Sequence, residues 1–290
     1  MMNLPNWLQP HLFIGKNFKD LTAGEIETIK ENMKGFQSES PEVSILIPAW
    51  NEENNIYRTL SSLAKNKTSM EVEIVVINNN STDQTQEVLD LLNVKSYFQP
   101  QQGITFARQM GLEKAKGKYH LGADSDTFYP PNWIESMVKP MKEDSTIVGV
   151  YGRYSFIPPI GEGRMALWAY EKMTGVLTRL RKKNREYINF LGFNMGFVTK
   201  VGLENGGFVV TDVRKFDNAR DSEYHVEESE DGRMAVNLQK TGKLMLVTGQ
   251  GARAYTSSRR LVAEGGIFKS FTQRIFRHLG AINEYIGLKK

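Results

Sequence analysis

An α/β fold with a mainly parallel, mixed sheet flanked by helices is the architecture this sequence predicts, on three observations. From Val43 onward, continuous β-rich runs alternate with segments of helical period at the spacing of βα units. Polar clusters fall at the carboxyl ends of three of those runs, at residues 48–53, 78–83 and 124–126, which is where ligands of such sheets bind. The third cluster closes the stretch YHLGADSD (119–126) with two carboxylates one residue apart. Such hard oxygen donors suit Mg²⁺ or Mn²⁺ carrying a phosphorylated ligand.

Residues 1–41 read as an N-terminal extension. Thr22 and Glu25 have the spacing of a capping box, with Leu21 and Ile26 as the accompanying hydrophobic staple, so a short helix is expected to about residue 34. Gly35 and QSESP then stop it and lead into the main domain. VSILI (43–47) is the first strand, and residues 52–65 place Ile56, Leu60 and Leu63 on one helical face. VEIVVI (72–77) is the second strand, followed by a helix through Leu92 that Ser81 or Thr82 can cap. VKSYF (94–98), a helix over 104–115 closed by Gly117, and KYHLGA (118–123) complete the series. Two amphipathic patterns follow. Ala166, Tyr170, Met173, Leu177 and Leu180 run into Arg179, Arg181, Lys182, Lys183 and Arg185, and Phe268, Phe271, Ile275, Leu279, Ile282 and Ile286 repeat near the C-terminus.

A chain of 290 residues can bury a large core as one big domain with appendages. It has no cysteine, which excludes disulfides, thiolate zinc sites and cysteine nucleophiles. Its 37 Lys and Arg against 33 acids leave a formal charge of +4, too mild to demand nucleic acid as partner. The first residues show no basic region followed by an apolar one, and no window approaches the roughly 20 apolar residues of a membrane span, so a soluble or peripherally attached cytoplasmic protein is expected. A calcium loop from Asp124 to Glu135 is excluded by Tyr129 at the place that requires glycine.

VSILIPAWNEENNIYRTLSSL, VEIVVINNNSTDQT and QQGITFARQMGLEKAKGKYHLGADSD closely resemble the N-terminal half of family 2 glycosyltransferases with the GT-A fold. GFNMGFVTKVGLENGGF (192–208) and EDGRMAVNLQKTGKL (230–244) resemble that family's acceptor-side segments in the same order. The resemblance implies a nucleotide-binding half over 42–127 and an acceptor half over 128–250. Residues 251–290 are left as a C-terminal loop and amphipathic helix.

By that resemblance Asp126 would ligate a divalent cation through the donor diphosphate, and Asp124 would contact ribose or a metal-bound water, with Ser125 between them. A plain helix-capping turn before Pro130 and Pro131 is the alternative. Pro48, Trp50 and Glu52 would form the first wall of the nucleotide site, with Trp50 facing the base, Asn51 holding the turn and Glu52 accepting from ribose; capping of the next helix would explain the same letters. Asn78 and Asn79 stand where the family often has acids, one of which accepts the uracil N3–H. An amide oxygen can still accept there, so UDP stays the expected carrier. Asp83 supports the first turn of its own helix. Arg108 would reach the diphosphate or make a salt bridge under the 124–126 loop, and Arg259 and Arg260 would close over the diphosphate or form a basic surface.

For inversion, Asp231 is the expected base and Glu230 its orienting or acceptor-binding neighbour, with helix-terminus complementation as the plain alternative for both. Glycines 192 and 196, with Asn194 and Met195, would line the acceptor side. Gly206 and Gly207 would make a tight turn before a segment (210–229) expected to order with donor, and Glu223, Glu227 and Glu228 read as a solvated face.

The expected function is therefore inverting, metal-dependent transfer of a single sugar from a nucleoside diphosphate donor to a saccharide or lipid-linked saccharide. The Gln-x-x-Arg-Trp signature of processive synthases is missed at Gln273, Phe276, Arg277 and His278, which favours single addition. Two other classes compete. A nucleotidyltransferase would bring a glycine-rich basic phosphate loop that PAWNEENN lacks, and a non-catalytic nucleotide-sugar or glycan-binding module would never release UDP. The amphipathic helices fit packing on the sheet, a homodimer, or contact with the anionic inner face of a membrane.

Overall fold

The computed structural model describes residues 3–159, 161–208 and 229–263, with 265, 266, 269, 271–273, 275 and 276 beyond them. Helix α1 (Ala23–Met33) begins at a complete capping box, in which the Glu25 amide donates to Thr22 Oγ1 and the Thr22 amide donates to the Glu25 carboxylate. Ile29 and Met33 on its inner face are buried against the main core, so the extension is docked on the domain.

The main domain then runs β1 (Val43–Ala49), α2 (Ile56–Leu63), β2 (Val72–Asn78), α3 (Thr85–Leu91), β3 (Ser96–Phe98), α4 (Ile104–Lys114) and β4 (Tyr119–Gly122). After β5 (Thr127–Phe128) and α5 (Trp133–Glu143) come the acceptor-half elements β6 (Ile147–Gly152), β7 (Tyr154–Ile157), α6 (Met165–Arg181), β8 (Met195–Val198) and α7 (Thr199–Glu204). Helix α8 (Glu230–Leu238), β9 (Lys243–Val247), β10 (Ala254–Ser257) and α9 (Arg259–Ala263) complete the described chain.

A seven-stranded sheet takes the order β3-β2-β1-β4-β8-β6-β9, and β5-β10-β7 form a smaller one. Pairing is parallel from β3 through β4 and again between β6 and β9, whereas β8 runs antiparallel to both its neighbours. Strands β1 and β2 are buried at every position, as expected of strands covered on both faces, and all four of the first parallel strands end at one edge. The main core joins β1, β2 and β4 to α1, α2 and α5, while a second cluster around Phe190, Phe197 and Met234 seats α8 against β6 and β8.

Local differences from the sequence reading have physical causes. Helix α3 starts at Thr85, because Ser81 and Thr82 are engaged with the β1–α2 loop: the Asn51 amide donates to Ser81 Oγ, and the Thr82 amide donates to Asn51 Oδ1. Gln84 stands at the N-cap without a side-chain cap bond, and Asp83 before it accepts from the Thr85 amide at 3.0 Å, supporting the first turn. Helix α2 starts only at Ile56, since Asn51 takes a left-handed φ of 54° to turn the chain. Helix α6 packs Leu167 and Tyr170 against Phe156 and Leu261, as sheet-packing of that pattern requires. Segment 209–228, with Glu223, Glu227 and Glu228, lies outside the described residues, as do Arg277, His278 and most of the C-terminal pattern.

Candidate active site

A cavity of about 1270 Å³ opens at the carboxyl ends of β1, β2 and β4. Pro48, Trp50, Glu52, Asn79, Arg108, Asp124, Ser125, Asp126, Glu230, Asp231, Arg259 and Arg260 all line it. Asn78 does not. Its carboxamide is turned away, donating to Gln86 Oε1 at 2.9 Å and accepting from the Ser81 amide at 3.0 Å.

The 124–126 loop is held from beneath by groups that the sequence reading missed. Tyr129 Oη accepts from the Asp124 amide and donates to the Phe193 carbonyl, so one buried phenol ties the donor half to the acceptor half. Thr59 Oγ1 donates to the Ser125 carbonyl at 2.8 Å. With both ends of the loop pinned, the two carboxylates are directed to the cavity wall.

Each acid there meets an arginine. Arg108, on α4, places Nη2 3.1 Å from Asp124 Oδ1 and Nε 3.7 Å from Glu230 Oε1. Arg259, at the start of α9, lies with Nε 3.0 Å from Asp126 Oδ2 and also grips the Glu52 carboxylate. Asn55 donates to that carboxylate as well, and the Glu52 amide donates to Thr85 Oγ1. Arg108 is buried, and removing its charge from water disfavours it, yet Asp124, Glu230 and Asp231 together hold its guanidinium above its ordinary value.

Burial pushes the Asp124 carboxyl up; Arg108 opposes this and Asp126 adds to it. Asp126 is pushed up for the same first reason, with Arg259 opposing and Glu52 adding. Around these two acids the cavity is lined by five carboxylates, Glu52, Asp124, Asp126, Glu230 and Asp231, against three arginines, Arg108, Arg259 and Arg260. Two aspartates of hard oxygens in that condition fit a divalent cation, with phosphate and water oxygens completing its shell. No group of three His, Asp or Glu side chains converges as a metal cluster among the described residues.

On the acceptor side, Ser229 caps α8 by accepting from the Gly232 amide, and its hydroxyl also bonds Asp231 Oδ1. The Gly232 amide donates to Asp231 Oδ1 at 2.8 Å, and the Gly192 amide donates to Oδ2 at 2.8 Å. Three of about four lone-pair positions of this carboxylate are thus occupied, which fixes its orientation and leaves capacity for a hydroxyl donor. Ser229 directly precedes the two acids, and an N-cap residue there was the signal that could have revealed it.

Glycine is required at 192 for space, because a Cβ built there would lie 2.1 Å from the Arg108 guanidinium. Gly206 and Gly207 both adopt left-handed φ, 94° and 61°, in the expected tight turn. Asn79 is occupied structurally, since its amide donates to the Gln101 carbonyl at 2.8 Å and its oxygen accepts from the Gly103 amide at 2.8 Å. It thereby shapes the 101–103 loop that leads into α4, whose first-turn residues Ile104 and Phe106 also line the cavity.

The model of glycosyl transferase family 2 matches residues 44–202, just over half of the chain. The chondroitin synthase of Pasteurella multocida is 36% identical over 126 residues, a stretch covering 42% of this chain and 13% of the synthase, so the chain spans only a small part of that relative. Among solved structures, the mannosyltransferase of Pyrobaculum calidifontis in complex with GDP-Man and Mn²⁺ superposes with a TM-score of 0.55 at 17% identity, covering 86% of this chain and 70% of that one. S. aureus TarS 1-349 in complex with UDP-GlcNAc does so with a TM-score of 0.53 at 18% identity, covering 74% and 58%. These likenesses show the GT-A fold, and the family match places the chain within glycosyl transferase family 2.

Proposed function

We propose that this protein is an inverting glycosyltransferase that moves a single sugar from a nucleoside diphosphate donor, UDP-linked, to a saccharide or lipid-linked saccharide. The observation that carries the reading is that Asp124 and Asp126 line the same cavity as Asp231, with Arg108 within ion-pair reach of both Asp124 and Glu230. Donor-side and acceptor-side acids therefore face one space. That is the minimum geometry for displacement at an anomeric carbon.

In this reading the base lies along the wall formed by residues 48–52 and 101–106, with Trp50 presenting an exposed apolar face. Asp124 and Asp126 would hold a divalent cation at the donor diphosphate. When bound, that cation supplies Lewis-acid neutralisation of the departing phosphate oxygens. Arg108, Arg259 and Arg260 add fixed positive charge around the same oxygens. Asp231 accepts the proton of the acceptor hydroxyl as its oxygen bonds to the anomeric carbon, and the bond from that carbon to the diphosphate oxygen breaks on the opposite face. Glu230, paired with Arg108, orients the acceptor side.

Support for a uridine donor comes from the likeness to TarS, which is bound to UDP-GlcNAc, although the mannosyltransferase neighbour carries GDP-Man and Mn²⁺. No helix among the described residues is long and apolar enough to cross a membrane. The test is a panel of UDP-, GDP-, CMP- and dTDP-sugars scored for thermal stabilisation with and without Mn²⁺, followed by release of free nucleotide. A Mn²⁺-dependent rise in Tm confined to UDP-sugars is expected. No stabilisation by any nucleotide, or binding with no nucleotide release across acceptors, would overturn the reading.

A further inference from the structure

A second cavity, of about 570 Å³, lies between α6, β7 and the segment leading into β10. It is lined by five basic side chains, Arg153, Lys172, Arg179, Arg181 and Arg253, against one acid, Glu171. That acid is already committed. Its carboxylate takes Arg164 at 2.5 Å, the Ser155 hydroxyl at 3.0 Å and the Phe156 amide at 2.9 Å, so it does not neutralise the cavity.

Arg153 stands out within this group. Its Nε is buried and has no hydrogen-bond partner among the described residues. A buried guanidinium N–H left without an acceptor costs free energy, which a bound oxyanion would recover. Burial and then the charges of Arg179 and Arg253 hold the Arg153 guanidinium below its ordinary value, in line with the grouping of positive charge around the cavity. Trp168, with Lys172 held over its ring, and Tyr154 add aromatic surface to the lining.

The cavity's position indicates what it serves. Leu191 lines both this cavity and the larger crevice, and the adjacent Gly192 amide holds the Asp231 carboxylate. Leu191 is thus the wall that a ligand seated in this cavity would share with the crevice holding the proposed base.

We propose that this cavity binds an oxyanion, phosphate or carboxylate, carried on the acceptor saccharide, so that the sugar is delivered to a negatively charged acceptor. Identification of the ligand as acceptor rests on the glycosyl transfer proposed above; the anion site itself does not. Its volume of about 570 Å³ lies within the range of ordinary small-ligand sites and accommodates a charged monosaccharide unit.

The full chain is titrated with glucose 6-phosphate, glucuronate and glucose by isothermal calorimetry and ligand-observed NMR, and UDP with Mn²⁺ is titrated separately. One charged sugar is expected to bind at least about tenfold more tightly than glucose. Preference for glucose 6-phosphate would identify a phosphate-bearing acceptor, and preference for glucuronate a carboxylate-bearing one. Arg153→Gln combined with Arg179→Gln should abolish the margin while UDP affinity stays within about twofold. Arg179→Glu alone, at an exposed helix position that does not threaten folding, should reduce the margin in the same direction. Equal binding of all three sugars by the wild type, or an unchanged margin in these variants, overturns the inference while leaving the nucleotide reading intact. If the anion margin is present but no nucleotide binds, the site stands and the transferase reading falls.

Discussion

At the residue scale, the crevice depends on carboxylates whose roles separate by what each touches. Asp126 faces Arg259 across 3.0 Å, and Asp231 is fixed by the Gly192 and Gly232 amides. Asp126→Ala is expected to abolish Mn²⁺-dependent UDP binding, read as loss of the UDP-induced rise in Tm. Asp231→Asn should keep that rise and lower kcat by roughly 10²–10⁴-fold, the range of a lost general base. Equal UDP binding by Asp126→Ala and wild type would contradict the first assignment, and retained turnover in Asp231→Asn the second. Gly192→Ala tests the contact between the two halves. Its methyl group would occupy the space of the Arg108 guanidinium, and displacing that buried group should cost about 1–3 kcal/mol in denaturant unfolding and reduce turnover. Wild-type stability and activity in this variant would show that Arg108 can move aside freely.

At the element scale, the nucleotide wall is a set of loops stitched by side chains onto rigid strands. Asn51 joins the β1–α2 loop to the β2–α3 loop, and Asn79 joins the end of β2 to the loop before α4. Asn79→Ala removes a donor to the Gln101 carbonyl and an acceptor from the Gly103 amide. Each such bond contributes about 0.5–1.5 kcal/mol, so a loss of about 1–3 kcal/mol is expected, together with weaker nucleotide binding. Unchanged hydrogen exchange at residues 101–103 in the variant would argue against this clamp. The triple asparagine is a case in which identity was legible and role was not. Asn78 is turned away to Gln86 and Ser81, and Asn79, while lining the crevice, also holds the loop before α4, because an amide can donate and accept at once where an acid can only accept.

At the scale of the whole molecule, two buried histidines set an acid limit on stability. Burial first, and then the charge of Arg108, lowers His120 to about 3, and the ring stacks on Phe197 at 4.4 Å. Burial and then Lys65 lowers His11 to about 4. Both are neutral when folded, and the unfolded chain takes up a proton at each near the ordinary 6.5. The unfolded state binds more protons below that value, so this contribution is full above pH 6.5 and is lost as pH falls toward 4 for His11 and 3 for His120. It is on the order of 3 kcal/mol for each group. His120→Phe should therefore show a shallower fall in urea midpoint between pH 6.5 and 4 than the wild type. Parallel curves for the two proteins would remove His120 from the account.

Periodicity and strand-end polarity were enough to predict βα units, a mainly parallel sheet and a ligand edge, because parallel strands buried on both faces must be continuously apolar and must release their polar residues at the ends. The capping box at Thr22 was equally plain, since its partners are three residues apart and need no tertiary context. The antiparallel insertion of β8 between β4 and β6 had no such signal, and neither did the second sheet of β5, β10 and β7. Strand order is settled by long-range packing that local letters do not encode. The same holds within the crevice. The candidate acids and the salt bridge of Arg108 under the 124–126 loop could be named in advance, but the pairing of Arg259 with Asp126 and Glu52, the Tyr129 tie to Phe193 and the space that Gly192 leaves for Arg108 arise only when segments more than 60 residues apart are brought into contact.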